Sequence, residues 1–248
     1  ACGGERAPAP EAASEEAIAT PAALIETMYD RYDGAWYKTL TFVQETIQHR
    51  QDGTVDTSTW YEAYEAPGRL RIDFAPLEAG NGLLFASDSQ YVVQNGAVAS
   101  ARPSIHPLLL LGFDVYHLPP SETLARLDTL GFDLATMHEA TWQGRPHYVV
   151  GAAQGDAHSP QFWIDKEHLY FSRMLRPIGP EGDVVQETLF NNYERADGGW
   201  IAPEVIFNVD GERVMLEIYN DVRTGVAFTD GLFDPARWQT ADHWLQAQ

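Results

Sequence analysis

The sequence predicts a mainly β (α+β) protein: a single curved antiparallel sheet of about 11–13 strands, with an N-terminal helix before it and a helical insert in its middle. Three observations carry this. Extended runs with apolar residues at every second position follow one another through most of the chain. Nearly all are joined by tight turns such as Asp52-Gly53, Asn95-Gly96 and Asp210-Gly211, which suit antiparallel neighbours. Before the terminal residues, helical spacing of apolar residues is confined to the segment before Thr41 and the segment between Pro103 and Asp133, so the alternating strand–helix units of a parallel sheet are missing.

In chain order, Pro21–Leu40 reads as one helix. Pro21 suits a first turn, and Leu24, Ile25, Met28, Tyr32 and Trp36 recur three and four residues apart. The period then changes to two. Thr41–Arg50 predicts the first strand, Trp60–Glu65 and Arg69–Phe74 flank Pro67-Gly68, and Leu83–Ala86, Tyr91–Gln94 and the run into Val98 follow. Between Pro103 and Asp133 the pattern breaks. Ile105–Phe113 is apolar all round, Pro119-Pro120 interrupts it, and Ser121–Leu130 predicts a helix with Ser121 as N-cap and Gly131 as stop.

Strands resume in pairs: Leu134–Trp142 with His147–Ala153, Gln161–Asp165 with Leu169–Arg176, and Val184–Arg195 with Trp200–Val209. Arg213–Arg223 pairs back through Asp210-Gly211, and Pro235–Leu245 predicts a short terminal helix. Alternation puts Leu70, Ile72 and Phe74 on one face of their strand and Arg69, Arg71 and Asp73 on the other. It groups Val205, Phe207 and Val209 likewise, and sets Val214, Leu216, Ile218 and Val222 opposite Arg213, Glu217 and Tyr219. So much one-sided sheet needs cover, which predicts a part-closed barrel from about Pro21 to the end.

Composition narrows the function. The 248 residues, 44% of them hydrophobic, suffice for a core without disulfide or metal. The longest apolar run, Leu108–Leu111 with Phe113 behind it, is too short to cross a bilayer. A net charge of −20 excludes nucleic acid as a partner, since phosphate binding needs clustered Lys and Arg. Lysine stands only at Lys38 and Lys166, as expected of a salt-adapted surface or of biased base composition.

Catalytic patterns are missing: there is no nucleophile elbow, zinc helix, phosphate loop or dinucleotide fingerprint. Asp165 and His168 flank a turn, but two ligands do not make a zinc site, and a solvated turn is the expectation. Asp52, Thr54, Asp56 and Glu62 are only loosely like a calcium loop, lacking its glycine and closing glutamate. Arg69 and Arg71 are expected to salt-pair on an acid-rich surface, with recognition of an anionic headgroup or partner as the alternative. No enzyme activity, cofactor or metal is therefore expected.

Ala1-Cys2-Gly3-Gly4, followed by a run rich in Ala, Pro, Glu and Ser to about Pro21, resembles the processed end of a bacterial lipoprotein, with residues 1–20 as a disordered tether. That resemblance implies lipidation at Cys2 and stable membrane anchoring. In the folded part, residues 21–248, Pro67-Gly68-Arg69-Leu70-Arg71 is followed by Ala86-Ser87-Asp88 with Tyr91-Val92-Val93. Phe162-Trp163-Ile164-Asp165 and Leu232-Phe233-Asp234-Pro235 come next, in that order. With these motifs in this order the folded part resembles the superfamily of outer-membrane lipoprotein-sorting proteins, the group of LolA, LolB and related envelope lipid carriers.

The resemblance implies a half-barrel whose central insert, about residues 103–133, sits where the family has its lid. It implies a hydrophobic cavity holding acyl chains, without catalysis. Ala66 stands where the soluble lipoprotein chaperone has an arginine, so a lipid-binding cousin is implied rather than that chaperone.

The expected ligand-binding residues are Leu70, Ile72, Phe74, Tyr148, Val150, Phe162, Ile164, Val205, Phe207, Val214, Leu216 and Ile218 from the sheet. Leu108, Leu109, Leu111 and Phe113 join them from the insert, as a lid over the ligand or a plug that fills the barrel. The function expected is a non-enzymatic envelope lipoprotein that binds lipid or another hydrophobic molecule. It would face the periplasm, at the outer membrane by the sorting convention that Gly3 satisfies. The alternative is an envelope sensor or interaction module with a filled core and a protein partner.

Overall fold

A computed structural model describes residues 18–247. Cys2 and the expected tether to residue 17 lie outside the described residues. Helix α1 spans Pro21–Tyr32, capped by the Thr20 hydroxyl accepting from the Ala23 N–H at 3.1 Å. It is one turn or more shorter than the predicted Pro21–Leu40. Asp33 leaves the helical conformation and Gly34 takes φ +68°, which a side chain resists, so Trp36 reaches the core from a turn.

The strands are β1 (Thr39–His49), β2 (Val55–Glu65), β3 (Arg69–Phe74), β4 (Asn81–Ala86), β5 (Ser89–Gln94) and β6 (Ala97–Pro103). After the insert come β7 (Met137–Trp142), β8 (Arg145–Val150), β9 (Gln161–Asp165), β10 (Phe171–Ile178) and β11 (Val184–Asn191). β12 (Glu194–Ala196), β13 (Gly199–Ile201), β14 (Glu204–Val209) and β15 (Glu212–Thr224) complete them. The insert holds α2 (Pro107–Gly112), a 3₁₀ turn over Asp114–Tyr116 and α3 (Pro120–Thr129). Helix α3 begins one residue before the predicted Ser121 cap, because Pro119 and Pro120 already hold helix-entry geometry.

The protein is mainly β, built on one large antiparallel sheet with three α-helices among the described residues. The sheet has 13 strands in the order β6-β5-β4-β3-β2-β1-β15-β14-β11-β10-β9-β8-β7, and its edge strands β6 and β7 do not meet, so it stays open. The strand count exceeds the expectation: β12 and β13 form a separate two-stranded ribbon at the tip predicted to continue the main sheet, giving 15 in all. The turns Asn95-Gly96, Gln143-Gly144 and Asp210-Gly211 have both residues at positive φ, the geometry whose twist matches paired strands.

One face of the sheet packs on the helices. Leu24, Ile25 and Met28 of α1, with Leu110, Leu111, Val115 and Tyr116 of the insert, meet Phe162, Ile164 and Phe171. The opposite face is covered in part by the C-terminal segment after β15. Leu232 and Trp244 pack on Ala63, and Trp238 packs on Leu84, Ala86 and Val93. The predicted helix over Pro235–Leu245 is two 3₁₀ turns at Pro235–Arg237 and Trp244–Ala247, since the segment follows the sheet instead of coiling.

That cover corrects the surface expected around Arg71. The Arg71 and Asp73 side chains, only 4% and 7% exposed, pair at 2.8 Å beneath the tail, and Arg71 also donates to the Leu232 and Trp238 carbonyls. Gly82 makes the fit possible, as a Cβ there would lie 2.7 Å from the Trp238 ring and 2.1 Å from the Ile72 carbonyl. Arg69 does pair at the surface, with Glu65 at 3.0 Å.

Candidate ligand-binding site

The inner face does not meet helix everywhere. Over β2–β5, β1, β15, β14 and β11 a cavity of about 1100 Å³ lies between the sheet and the insert. Strands as far apart in the sheet order as β5 and β11 line it together, so the sheet curls around it. Beneath the insert the wall is apolar: Leu70 and Ile72 of β3 and Leu83 and Phe85 of β4 face Ile105, Leu108, Leu109 and Phe113.

The insert is fastened at two places. The Asp114 carboxylate accepts from the Tyr64 hydroxyl and from the Gly68 N–H, both at 2.9 Å, tying the 3₁₀ turn to the β2–β3 corner. Burial pushes the Asp114 carboxyl up to about 6, with these two bonds opposing the shift. At the rim, Arg126 of α3 joins Asp88 at 2.5 Å and Glu122 at 2.8 Å. His106 accepts from the Leu109 N–H and so caps α2; burial alone pushes its imidazole down to about 4, leaving it neutral at physiological pH.

Away from the insert the wall changes character. Phe42 of β1 stacks on Tyr219 of β15 with ring centres 4.0 Å apart. Between and beside them stand two glutamates, Glu62 and Glu217, only 5% and 8% exposed. Burial pushes Glu217 up to about 7, opposed by hydrogen bonding from Tyr219 and Gln44. Burial also pushes Glu62 well above the usual range, and the Glu217 charge adds to the shift.

Of the residues expected in a site, Leu70, Ile72, Leu108, Leu109, Phe113, Val205 and Phe207 come together around this cavity. Phe74 lies beside it, tilted on Trp60 at 4.8 Å. Tyr148, Val150, Phe162, Ile164 and Leu111 are instead buried in the packed core with the helices. Val214, Leu216 and Ile218 point to the other face: Met215, Glu217 and Tyr219 line the cavity, and alternation turns their neighbours away. A bulge at Asp221, φ +49°, then returns Val222 to the inner side.

Sequence reasoning missed Glu62, Glu217 and Gln44. The only available signal was the cross-strand phase: residues directly opposite share a face, and Phe42 opposite Glu62 together with Val205 opposite Glu217 puts both acids inside.

The turn after β9 is also not the solvated one expected. Asp165 is fully buried, pairs with Arg145 at 2.7 Å and accepts from the N–H groups of Glu167 and His168. Burial is the largest single influence and pushes its carboxyl up, but these contacts together with the Arg145 and His168 side chains outweigh it and hold the carboxyl below the usual range. Asp56 pairs with Arg50 and Asp52 caps Thr54, far from Glu62 in the cavity. Among the described residues no group of three or more His, Cys, Asp or Glu side chains is placed to share a metal.

Neither a known family model nor a curated protein matches the sequence. Solved structures do match the fold. A DUF1329 family protein from Desulfovibrio piger aligns with a TM-score of 0.61 at 18% identity, over 88% of this chain and 97% of that one. A protein described as an outer-membrane lipoprotein-sorting domain, from Vibrio parahaemolyticus, aligns at 0.57 and 13%, over 88% and 97%. A LolA superfamily protein from Nitrosomonas europaea aligns at 0.53 and 11%, over 84% and 96%. At such identities the likeness establishes a shared fold, and the resemblance read from the sequence holds at that level.

Proposed function

We propose that this protein is a non-enzymatic carrier of the bacterial cell envelope that holds an acyl chain or lipid in the cavity between sheet and insert. The observation that carries this reading is the cavity itself, about 1100 Å³ with an apolar half under the insert. Ligand sites are concave and mostly apolar with few polar anchors, and this one has the room for a lipid chain. Each buried methylene gains about 0.8 kcal/mol, so an alkyl chain of about twelve carbons binds usefully after entropic costs. The open sheet then acts as a half-barrel and the insert as a lid over its mouth, which must move for the ligand to exchange. The fold it shares with a protein described as lipoprotein-sorting agrees with this use.

In the same reading, residues 21–248 form the carrier domain and residues 1–20 a tether. A lipid on Cys2 would hold the domain at the periplasmic face of the outer membrane. Native mass spectrometry of the full chain, before and after delipidation, tests the carrier reading. Bound masses of phospholipid or fatty acid, lost on delipidation and regained on adding lipid, are expected. A single ligand-free mass with no uptake would overturn it and favour the sensor or interaction module.

A further inference from the structure

The carrier reading accounts for the apolar half of the cavity and leaves the acidic half unexplained. Glu62 is 5% exposed, lines the cavity, and among the described residues no side chain hydrogen-bonds or pairs with it. Gln44 lies between the two glutamate strands, opposite both Trp60 and Tyr219, and is 1% exposed. Its Nε2 donates to Thr46 at 2.7 Å while its Oε1 has no partner. Glu217 has only the long contact from the Tyr219 hydroxyl, at 3.4 Å, and the Gln44 carboxamide.

Elsewhere this fold does not leave buried acids alone. Asp73 has Arg71 and His243, Asp165 has Arg145, and Asp114 has Tyr64 and Gly68. Arginines do line the cavity, yet Arg126 is taken by Asp88 and Glu122, and Arg102 by Gln90. Neither these nor Arg176 pairs with Glu62 or Glu217. A buried carboxylate without a counter-charge is costly, and a buried acceptor without a donor adds to that cost.

We propose that the cavity is built for an amphiphile bearing an ammonium group, its chain under the insert and its cation seated between Glu62 and Glu217. The proposal rests on the carrier reading and names its ligand class. A primary ammonium supplies three donors and no acceptor, which complements two carboxylates that have no counter-charge of their own. Phe42, Trp60 and Tyr219 give the site aromatic walls, whose ring faces attract cations and not anions. The net charge of −20 draws cations towards the molecule from a distance.

The test compares three probes of one chain length on the full-length protein at pH 8, by titration calorimetry below their aggregation concentrations: decylamine, decanol and decanoate. Decylamine is expected to bind at least about tenfold tighter than decanol, and decanoate more weakly than either. In the double variant Glu62→Gln, Glu217→Gln the amine advantage is expected to fall to within about twofold while decanol binding persists, which also reports an intact fold. Decanol binding as well as decylamine to the natural protein would overturn the proposal and leave the carrier reading standing. An amine preference that survives the double variant would also overturn it, and no binding of any probe would remove both readings.

Discussion

The two halves of the sheet turn the same inner face to different things. On β8, β9 and β10 the inward residues Tyr148, Val150, Phe162, Ile164 and Phe171 are buried against α1 and the insert. On β3, β4 and β14 the inward residues Leu70, Leu83 and Phe207 border a cavity. Inward apolar residues of one sheet therefore do two jobs, and the position of the helices decides which. Where helix covers strand, a side chain contributes packing; where it does not, the side chain waits for a partner.

The largest expected effect breaks or keeps that distinction. Phe162→Ala removes a ring with no exposure, edge-on to Phe132 at 5.2 Å, and is expected to cost about 3–5 kcal/mol in urea unfolding. Phe207→Ala, on a half-buried ring at the cavity wall, is expected to cost about 1 kcal/mol, since it enlarges a space that already exists. Equal costs would mean that both halves are packed core and that the cavity is a gap without use. Ligand uptake is expected to fall only in the second variant.

The same contrast recurs across the thickness of the sheet. Beneath the tail, Arg71 and Asp73 form a paired, hydrogen-bonded cluster that His243 completes at 3.2 Å from Asp73. Removing one member strands a buried charge, so Arg71→Met is expected to cost about 3 kcal/mol, again by urea unfolding. A cost near zero would mean that Asp73 needs only His243.

How much of this was legible follows from the range of the forces involved. β3 and β9 were bounded to the residue because turn chemistry at Pro67-Gly68 and Lys166-Glu167 is local. The burial of Arg71 was not, because the covering segment lies over 150 residues later and no local signal announces it. On β15, alternation correctly grouped Val214, Leu216 and Ile218, but a period of two says which residues share a face and not which face is inside. Hydrophobicity alone points this set inward. The structure turns it outward, and a cavity that accepts polar groups lets Glu217 and Tyr219 take the inner side. That inversion is what hid the acidic floor.

The acidic floor gives the next effect, of opposite sign to the loss of Arg71. Burial first, against hydrogen bonds from Tyr219 and Gln44, raises the Glu217 carboxyl from 4.5 to about 7. The groups facing it are Gln44 and Thr46 on β1, Val205 on β14 and Tyr219 on its own strand, with the Glu62 charge nearby on β2. An acid whose folded value is raised binds its proton more tightly when folded. Its contribution is fully present below pH 4.5 and is lost as pH rises through about 7. Glu217→Gln is therefore expected to raise stability by roughly 1–3 kcal/mol at pH 8 and to change it little near pH 4. Thermal melts at the two pH values check this, and an equal effect at both would show that Glu217 is not carrying a suppressed charge.

The smallest expected change in stability bears most directly on the insert. On α2, Leu110 and Leu111 turn into the helix-packed core while Leu108 lines the cavity, so one short helix is plug on one side and lid on the other. Leu108 is only half-buried, and a glutamate there can reach the open space with its charge, so Leu108→Glu is expected to cost less than about 1 kcal/mol. Uptake of decanol should nevertheless fall by at least about tenfold, because the chain would then lie against a carboxylate. Unchanged uptake in the folded variant would mean that the chain does not lie beneath α2. The boundary between filled and hollow halves would then have to be drawn elsewhere, beyond Phe113 and towards β14 and β15.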